Sequence, residues 1–357
     1  MNKEQKTSNI RALLFFAYAL VGIGLLMNFS ISPSTSTSLS LTIFYKQLLY
    51  VGIGTASLIL FSYFNHTKLK DISTVLFFLI LISLFFTTGE TSRRWLYVGL
   101  PFAIQPSQYV SLVLSIFISK VVSTRLKEDY NKKIYIILLG IVILISGLVI
   151  IEPDMGSGAI IMLTCGALLL VSGMKLIDFC IVSVPTVILG AIFIINNQSW
   201  KERIVFFLNP YSAPTGEGYQ ALQSFRAIAR GGIIGTGFMR SMFKYGKLPE
   251  KTADFIFAIT AEEFGIIGCT VIIALFIALI YTGFKIAKNT GSTFSRLLAV
   301  GITLSIALSA LINISTNIGL LPVTGITLPF ISFGGNSMLA NLTGIGILIN
   351  IAKKSGE

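Results

Sequence analysis

Ten long stretches of this chain are almost free of charged residues, and no water-soluble fold is built from such a pattern. The apolar blocks run near 12–32, 44–64, 72–88, 105–122, 134–151, 157–174, 176–195, 255–286, 297–321 and 328–352, with short polar segments between most of them. A run of roughly 18 or more apolar residues is long enough to cross a bilayer as a helix. Only 12% of the 357 residues are charged, against about 25% in a soluble domain. The expected fold is therefore all-α: a polytopic integral membrane protein of about ten transmembrane helices, with a long loop at 196–254 between the seventh and eighth. The first block follows Lys3, Lys6 and Arg11 and reads as an uncleaved first helix rather than a signal peptide. No internal repeat is visible, which weakens an inverted-repeat transporter reading.

The net charge of +12 would suggest nucleic acid in a soluble protein. In a membrane protein the simpler source is the basic bias of cytoplasmic loops, so no nucleic-acid partner is expected. Alternate polar segments, including both termini, hold sixteen Lys and Arg, whereas the short segments on the opposite side hold Lys46, Arg93 and Arg94. That asymmetry predicts cytoplasmic termini. It also places 196–254 outside, where long loops escape the rule. This segment still carries eight basic residues, read either as a solvated face near anionic headgroups or as a site for a polyanionic substrate. Arg226 and Arg230 share a face if their stretch is helical. The neighbouring Gly231, Gly232, Gly235 and Gly237 either bring backbone N–H groups to a phosphate or permit close packing. Cys165, Cys180 and Cys269 stand alone, and the single histidine, His66, is expected to be a solvated loop residue.

The acidic residues are more telling. A helix from Asp254 to Lys285 would be about 46 Å long, beyond the roughly 30 Å hydrocarbon core. Asp254, Glu262 and Glu263 thus fall on a portion outside the core or inside protein, and carboxylates so placed are functional suspects. For Glu262 and Glu263 the competing reading is an ion pair with an outer-loop arginine. Glu152 and Asp154 join the fifth and sixth blocks, and Arg93 and Arg94 lead into the fourth. Asp154 or Ser157 would equally serve as a helix cap.

These residues lie within motifs that resemble the SEDS family, the FtsW/RodA type. The motifs are RRW at Arg93–Trp95, QPS at Gln105–Ser107, EPDMG at Glu152–Gly156 and GYQALQS at Gly218–Ser224. They continue with LPEKTADFIFA at Leu248–Ala258, EEFGIIG at Glu262–Gly268 and NIGLLPVTGITLPFISFGGNS at Asn317–Ser337. Order and spacing agree over nearly the whole chain, and the GYQALQS stretch leans towards the FtsW branch. Two positions depart from the family pattern. A glutamate and a lysine three residues apart are replaced by Gln108 and Ser111, which would share one helix face, and Ala253 precedes Asp254.

The resemblance implies a single transmembrane domain over 1–357 in a bacterial cytoplasmic membrane. It implies a peptidoglycan glycosyltransferase that polymerises lipid II, a disaccharide–peptide on undecaprenyl diphosphate, with the lipid diphosphate as leaving group. Asp254 would be the catalytic residue. Arg93, Arg94, Arg226, Arg230, Lys244, Glu152, Asp154, Glu262 and Glu263 are the candidate substrate-binding residues. No cofactor is required by the pattern, although a divalent cation, Mg or Mn, would suit a diphosphate. The implied partners are a class B penicillin-binding protein and other divisome or elongasome membrane proteins. Two alternatives stay open: a lipid II flippase, and a catalytically weak scaffold of the cell-wall complex. A transporter would keep its ionisable groups near the bilayer midplane, whereas the acids here cluster towards one end.

Overall fold

The computed structural model describes residues 3–34, 41–87, 94–97, 103–125, 130–152, 154–210, 216–246, 248 and 250–355. Among them the chain forms twelve α-helices and no strand, with one isolated antiparallel bridge between Leu96 and Ile104. The apolar blocks become α1 (Lys3–Ile31), α2 (Thr42–Tyr63), α3 (Thr67–Phe85), α4 (Ser107–Arg125), α5 (Lys132–Ile151), α6 (Met155–Val171), α7 (Leu176–Asn196), α10 (Ile256–Lys288), α11 (Thr293–Asn317) and α12 (Gly335–Lys354). Seven of these are long and apolar enough to span a membrane, and α6 and the Leu176–Ile192 part of α7 are shorter apolar helices. The remaining one, α3, carries Lys68, Lys70 and Asp71 in its first turns. The chain is an integral membrane protein of helical hairpins.

The 196–254 segment is more ordered than a loop. It contains α8 (Gln198–Leu208) and α9 (Gly216–Gly231). In α9 the apolar residues Leu222, Phe225 and Ile228 recur at three-residue spacing, a helical period that a search for long apolar runs does not detect. The core centres on α11, most of whose residues are buried, packed among α4, α6, α10 and α12. Both ends of the chain lie at one end of the bundle, where Lys6 Nζ donates to the Lys353 carbonyl at 3.2 Å. His66 is there too, and it is buried rather than solvated. Its ring nitrogens lie 2.7 Å from Asn350 Oδ1 and 2.7 Å from Ser295 Oγ, fastening the α2–α3 connection to α12 and α11.

At the opposite end, α10 is broken. Gly265 has φ 65° and ψ −164° inside this 33-residue helix. In an unbroken helix the N–H groups of Ile266 and Ile267 would donate to the carbonyls of Glu262 and Glu263. Instead Ile266 N donates to Gly232 O at 3.0 Å and Ile267 N to Ile233 O at 3.3 Å. The two carbonyls accept from Thr236 N at 2.9 Å and Gly237 N at 3.0 Å. The glycine-rich loop after α9 therefore fills the break with its own backbone. That use replaces the phosphate-cradling role considered for these glycines. The approach is too close for side chains: a Cβ at Gly231 would lie 1.9 Å from Ala261 O, and one at Gly235 would lie 2.2 Å from Glu263 O.

Overpacking of this kind costs about 1–3 kcal/mol. Gly231→Ala or Gly235→Ala should lower the thermal midpoint of detergent-purified protein by several degrees. Gly140→Ala, where nothing lies within 4 Å of the added methyl, should leave it unchanged or raise it. Equal midpoints for the three variants would show that the loop does not seal α10.

Candidate functional site

A cavity of about 610 Å³ opens between α2, Arg94–Trp95, Ala103–Gln108, α8, α9, the turn before α10 and residues 323–339. Its wall carries two carboxylates, Glu250 and Asp254, and two guanidinium groups, Arg94 and Arg203. Tyr50, Trp95, Gln105, Gln108, Gln220, Asn336 and Ser337 add further hydrogen-bonding and aromatic surface.

Asp254 sits just before α10, outside the helical ladder. A tight turn shapes the approach to it. Glu250 adopts a left-handed backbone with φ 51°, and its carbonyl accepts from the N–H groups of Ala253, Asp254 and Phe255. Ser332 Oγ donates to Ala253 O, and Phe333 N donates to Thr252 O at 2.8 Å. Burial pushes the Asp254 carboxyl from the usual carboxylate range up to about 7. The negative charges of Glu250 and Asp154 push the same way, and Arg94 opposes them. A base poised near 7 is what general-base chemistry at neutral pH needs.

Arg94 is held in the cavity wall by a hydrogen bond from its Nε to the Glu152 carbonyl at 3.3 Å. Two residues after Arg94, Leu96 pairs with Ile104 in an antiparallel bridge. Glu152 is buried at the end of α5, where its Oε1 accepts from Thr87 Oγ1 at 3.1 Å. Burial raises its carboxyl to about 7 as well; Thr87 and Arg94 pull it down and Asp154 pushes it up. Asp154 caps α6, with Oδ1 accepting from Ser157 N at 3.2 Å. Its Oδ2 accepts from Gln105 Nε2 at 3.0 Å and Ser107 Oγ at 2.9 Å. It therefore braces the cavity wall, and its charge acts on Asp254 from there.

The other expected residues are brought together elsewhere. Glu262 accepts from Arg230 Nη1 at 2.6 Å, from Met242 N at 2.9 Å, from Phe243 N at 3.3 Å and from Ser241 Oγ. Glu263 accepts from Lys244 Nζ at 3.0 Å, from Ser30 Oγ at 2.7 Å and from Met239 N at 3.1 Å. Lys244 and both glutamates are fully buried. This is the ion-pair reading of Glu262 and Glu263, and Lys244 and Arg230 are consumed in it. The two pairs bolt the strap after α9 to α10 and α1, away from the cavity. Arg226 is exposed on α9 and does not line the cavity. Arg93 lies outside the described residues. Gln108 and Ser111 do face common surroundings: both line a polar side pocket of about 60 Å³ within the bundle, which shares Gln108, Thr327 and Ser337 with the main cavity.

Arg203 is the functional candidate that sequence reasoning passed over, because it stood among eight basic residues of one segment; only the folding of α8 against the cavity singles it out. Among the described residues no three His, Cys, Asp or Glu side chains converge to hold a metal. A divalent cation would find only Glu250 and Asp254 in the cavity wall, so no step is assigned to one.

Comparison with known proteins agrees with this architecture. The stage V sporulation protein E of Bacillus subtilis (strain 168) is 34% identical, with 98% of this chain and 99% of that protein covered. A protein of Coxiella burnetii named "Probable peptidoglycan glycosyltransferase FtsW" is 37% identical over 78% of this chain and 76% of its own length. Two solved structures share the fold. One belongs to a peptidoglycan synthase complex that coordinates polymerization and crosslinking, with TM-score 0.79, 23% identity, and 97% of this chain and 98% of that chain covered. The other is the rod shape determining protein RodA of Thermus thermophilus, with TM-score 0.71, 20% identity and 97% of each chain covered. A sequence model for the FtsW, RodA and SpoVE cell cycle proteins matches residues 11–357, and the chain belongs to that family.

Proposed function

We propose that this protein is a peptidoglycan glycosyltransferase that lengthens glycan strands from lipid II, with Asp254 as general base. The observation that carries the reading is Asp254, its carboxyl pushed up to about 7, in the wall of a 610 Å³ cavity that also presents Glu250, Arg94 and Arg203. Asp254 accepts the proton of the acceptor sugar's 4-hydroxyl as that oxygen bonds to the donor's anomeric carbon. The bond from that carbon to the diphosphate oxygen breaks, and the polyprenyl diphosphate leaves with the electron pair. Arg94 and Arg203 supply positive charge where the leaving diphosphate gains its negative charge. Asp154 and Glu152 act behind this wall by holding Gln105, Ser107 and Arg94 in place.

The cavity opens on the outer face of the bacterial cytoplasmic membrane, with both termini in the cytoplasm. Support comes from the sixteen-to-three basic asymmetry and from the joining of the two termini at the end away from Asp254. A class B penicillin-binding protein is the partner that would crosslink the emerging strand.

Asp254→Asn should reduce polymerisation of labelled lipid II by at least about 10²-fold, the lower range of general-base assistance, with normal expression and lipid II binding. Near-normal turnover by this variant would remove Asp254 from the mechanism. In the wild type, kcat should rise tenfold per pH unit below about 7 and level off above it, because only the deprotonated carboxylate is a base. A flat profile between pH 5 and 8 would contradict the assignment. In a cysteine-free background, an impermeant thiol reagent applied to intact cells should label Lys201→Cys and spare Lys288→Cys. The reverse pattern would invert the orientation and place the cavity in the cytoplasm.

A further inference from the structure

Two asparagines stand one turn apart on α11. Asn313 is 2% exposed and Asn317 is fully buried. Neither lines the cavity. Both nonetheless donate from Nδ2 to the same atom, the main-chain carbonyl oxygen of Asp254, each at 2.9 Å. A carbonyl oxygen has two lone pairs, so these two amides saturate it. Each asparagine has a second attachment. Asn313 Nδ2 also donates to Ile326 O at 2.6 Å, in the segment that forms the facing wall of the cavity. Asn317 Oδ1 accepts from Ala258 N at 3.1 Å. That N–H belongs to the first turn of α10, whose own N-cap residue, Phe255, offers no side-chain acceptor.

Burying two primary amides is costly unless they are bonded, and apolar side chains would pack α11 against α10 without that cost. What the amides add is direction. They fix the peptide that follows Asp254, cap the helix that begins there, and tie both to the opposite wall. The Glu250 turn and the Ser332 bond hold the chain on the other side of Asp254. We propose that Asn313 and Asn317 are positioning residues for glycosyl transfer, which clamp the Asp254 backbone so that its carboxylate is aimed at the acceptor hydroxyl before substrate arrives.

This inference rests on the glycosyltransferase reading, and one set of measurements separates the two. Full-length protein with a class B penicillin-binding protein is assayed for polymerisation of labelled lipid II across pH 5–9. The wild type, Asp254→Asn, Asn313→Ala, Asn317→Ala and Asn350→Ala are compared, each normalised to folded protein. Each alanine variant on α11 leaves the other asparagine on Asp254 O, so the turn keeps one bond. Expected for Asn313→Ala and Asn317→Ala is a fall in kcat of roughly 10- to 100-fold, the scale of a displacement near 1 Å, with KM little changed. The acid limb of the profile should also move away from its wild-type midpoint, because the carboxylate leaves the surroundings set by Glu250, Asp154 and Arg94. Asn350→Ala, which disrupts the His66 contact at the other end of the bundle, should lower the melting temperature without moving that midpoint. If Asn313→Ala or Asn317→Ala does not accumulate, the serine variant at the same position takes its place, filling part of the space with a hydroxyl too short to reach the carbonyl. Variants with wild-type kcat per folded molecule and an unmoved midpoint would overturn the positioning role while leaving the reaction assignment intact. A wild type that does not polymerise lipid II would overturn both.

Discussion

The architecture turns on an exchange of backbone hydrogen bonds at Gly265. A helix interrupted at the edge of a membrane strands N–H and C=O groups where water is scarce, and each stranded group costs several kcal/mol. Here the two carbonyls and two N–H groups freed by the break are all taken up by residues 232–237. The repair is possible because Gly231 and Gly235 let one backbone approach another nearer than any Cβ permits. Once docked, the loop delivers Ser241 and Lys244 to Glu262 and Glu263, and the buried Lys244–Glu263 pair and the partly exposed Arg230–Glu262 pair lock the joint. Buried charges survive only when paired and hydrogen-bonded, and these glutamates receive backbone N–H groups as well as cations.

That joint explains why, of the three acids Asp254, Glu262 and Glu263, Asp254 alone lines the cavity. Glu262 and Glu263 face a closed network and are neutralised by Arg230 and Lys244. Asp254, only eight residues earlier, faces the cavity, where burial and the charge of Glu250 outweigh the opposing pull of Arg94. The same sequence segment thus supplies two structural anions and the proposed base, and the difference lies in what each carboxylate can touch.

Much of this was legible in the residues. The ten apolar blocks announced the transmembrane helices, because hydrocarbon thickness leaves few other options. Asp254 was legible through its place at the boundary of a polar segment and an overlong helix, and through the LPEKTADFIFA motif. The division of labour among the charged residues was not. Arg226, Arg230 and Lys244 look alike in sequence, yet one is exposed, one pairs with Glu262 and one is sealed beside Ser30. Which cation meets which anion depends on how the chain folds back after α9, and no local pattern encodes that return. Arg203 was hidden for the same reason, since α8 is too short and too polar to register as a membrane block. His66 misled because a short loop with neighbouring lysines normally faces water, whereas here Asn350, 284 positions away, closes over it.

The backbone exchange at Gly265 also has a mechanical consequence. Four hydrogen bonds from residues 232–237 and the two ion pairs at Arg230 and Lys244 join the segment after α9 to α10 on both sides of Gly265, so α10 is continuous across the break only through that segment. A load applied to the segment after α9 is therefore borne directly by Glu262 and Glu263, in the same helix that begins beside Asp254.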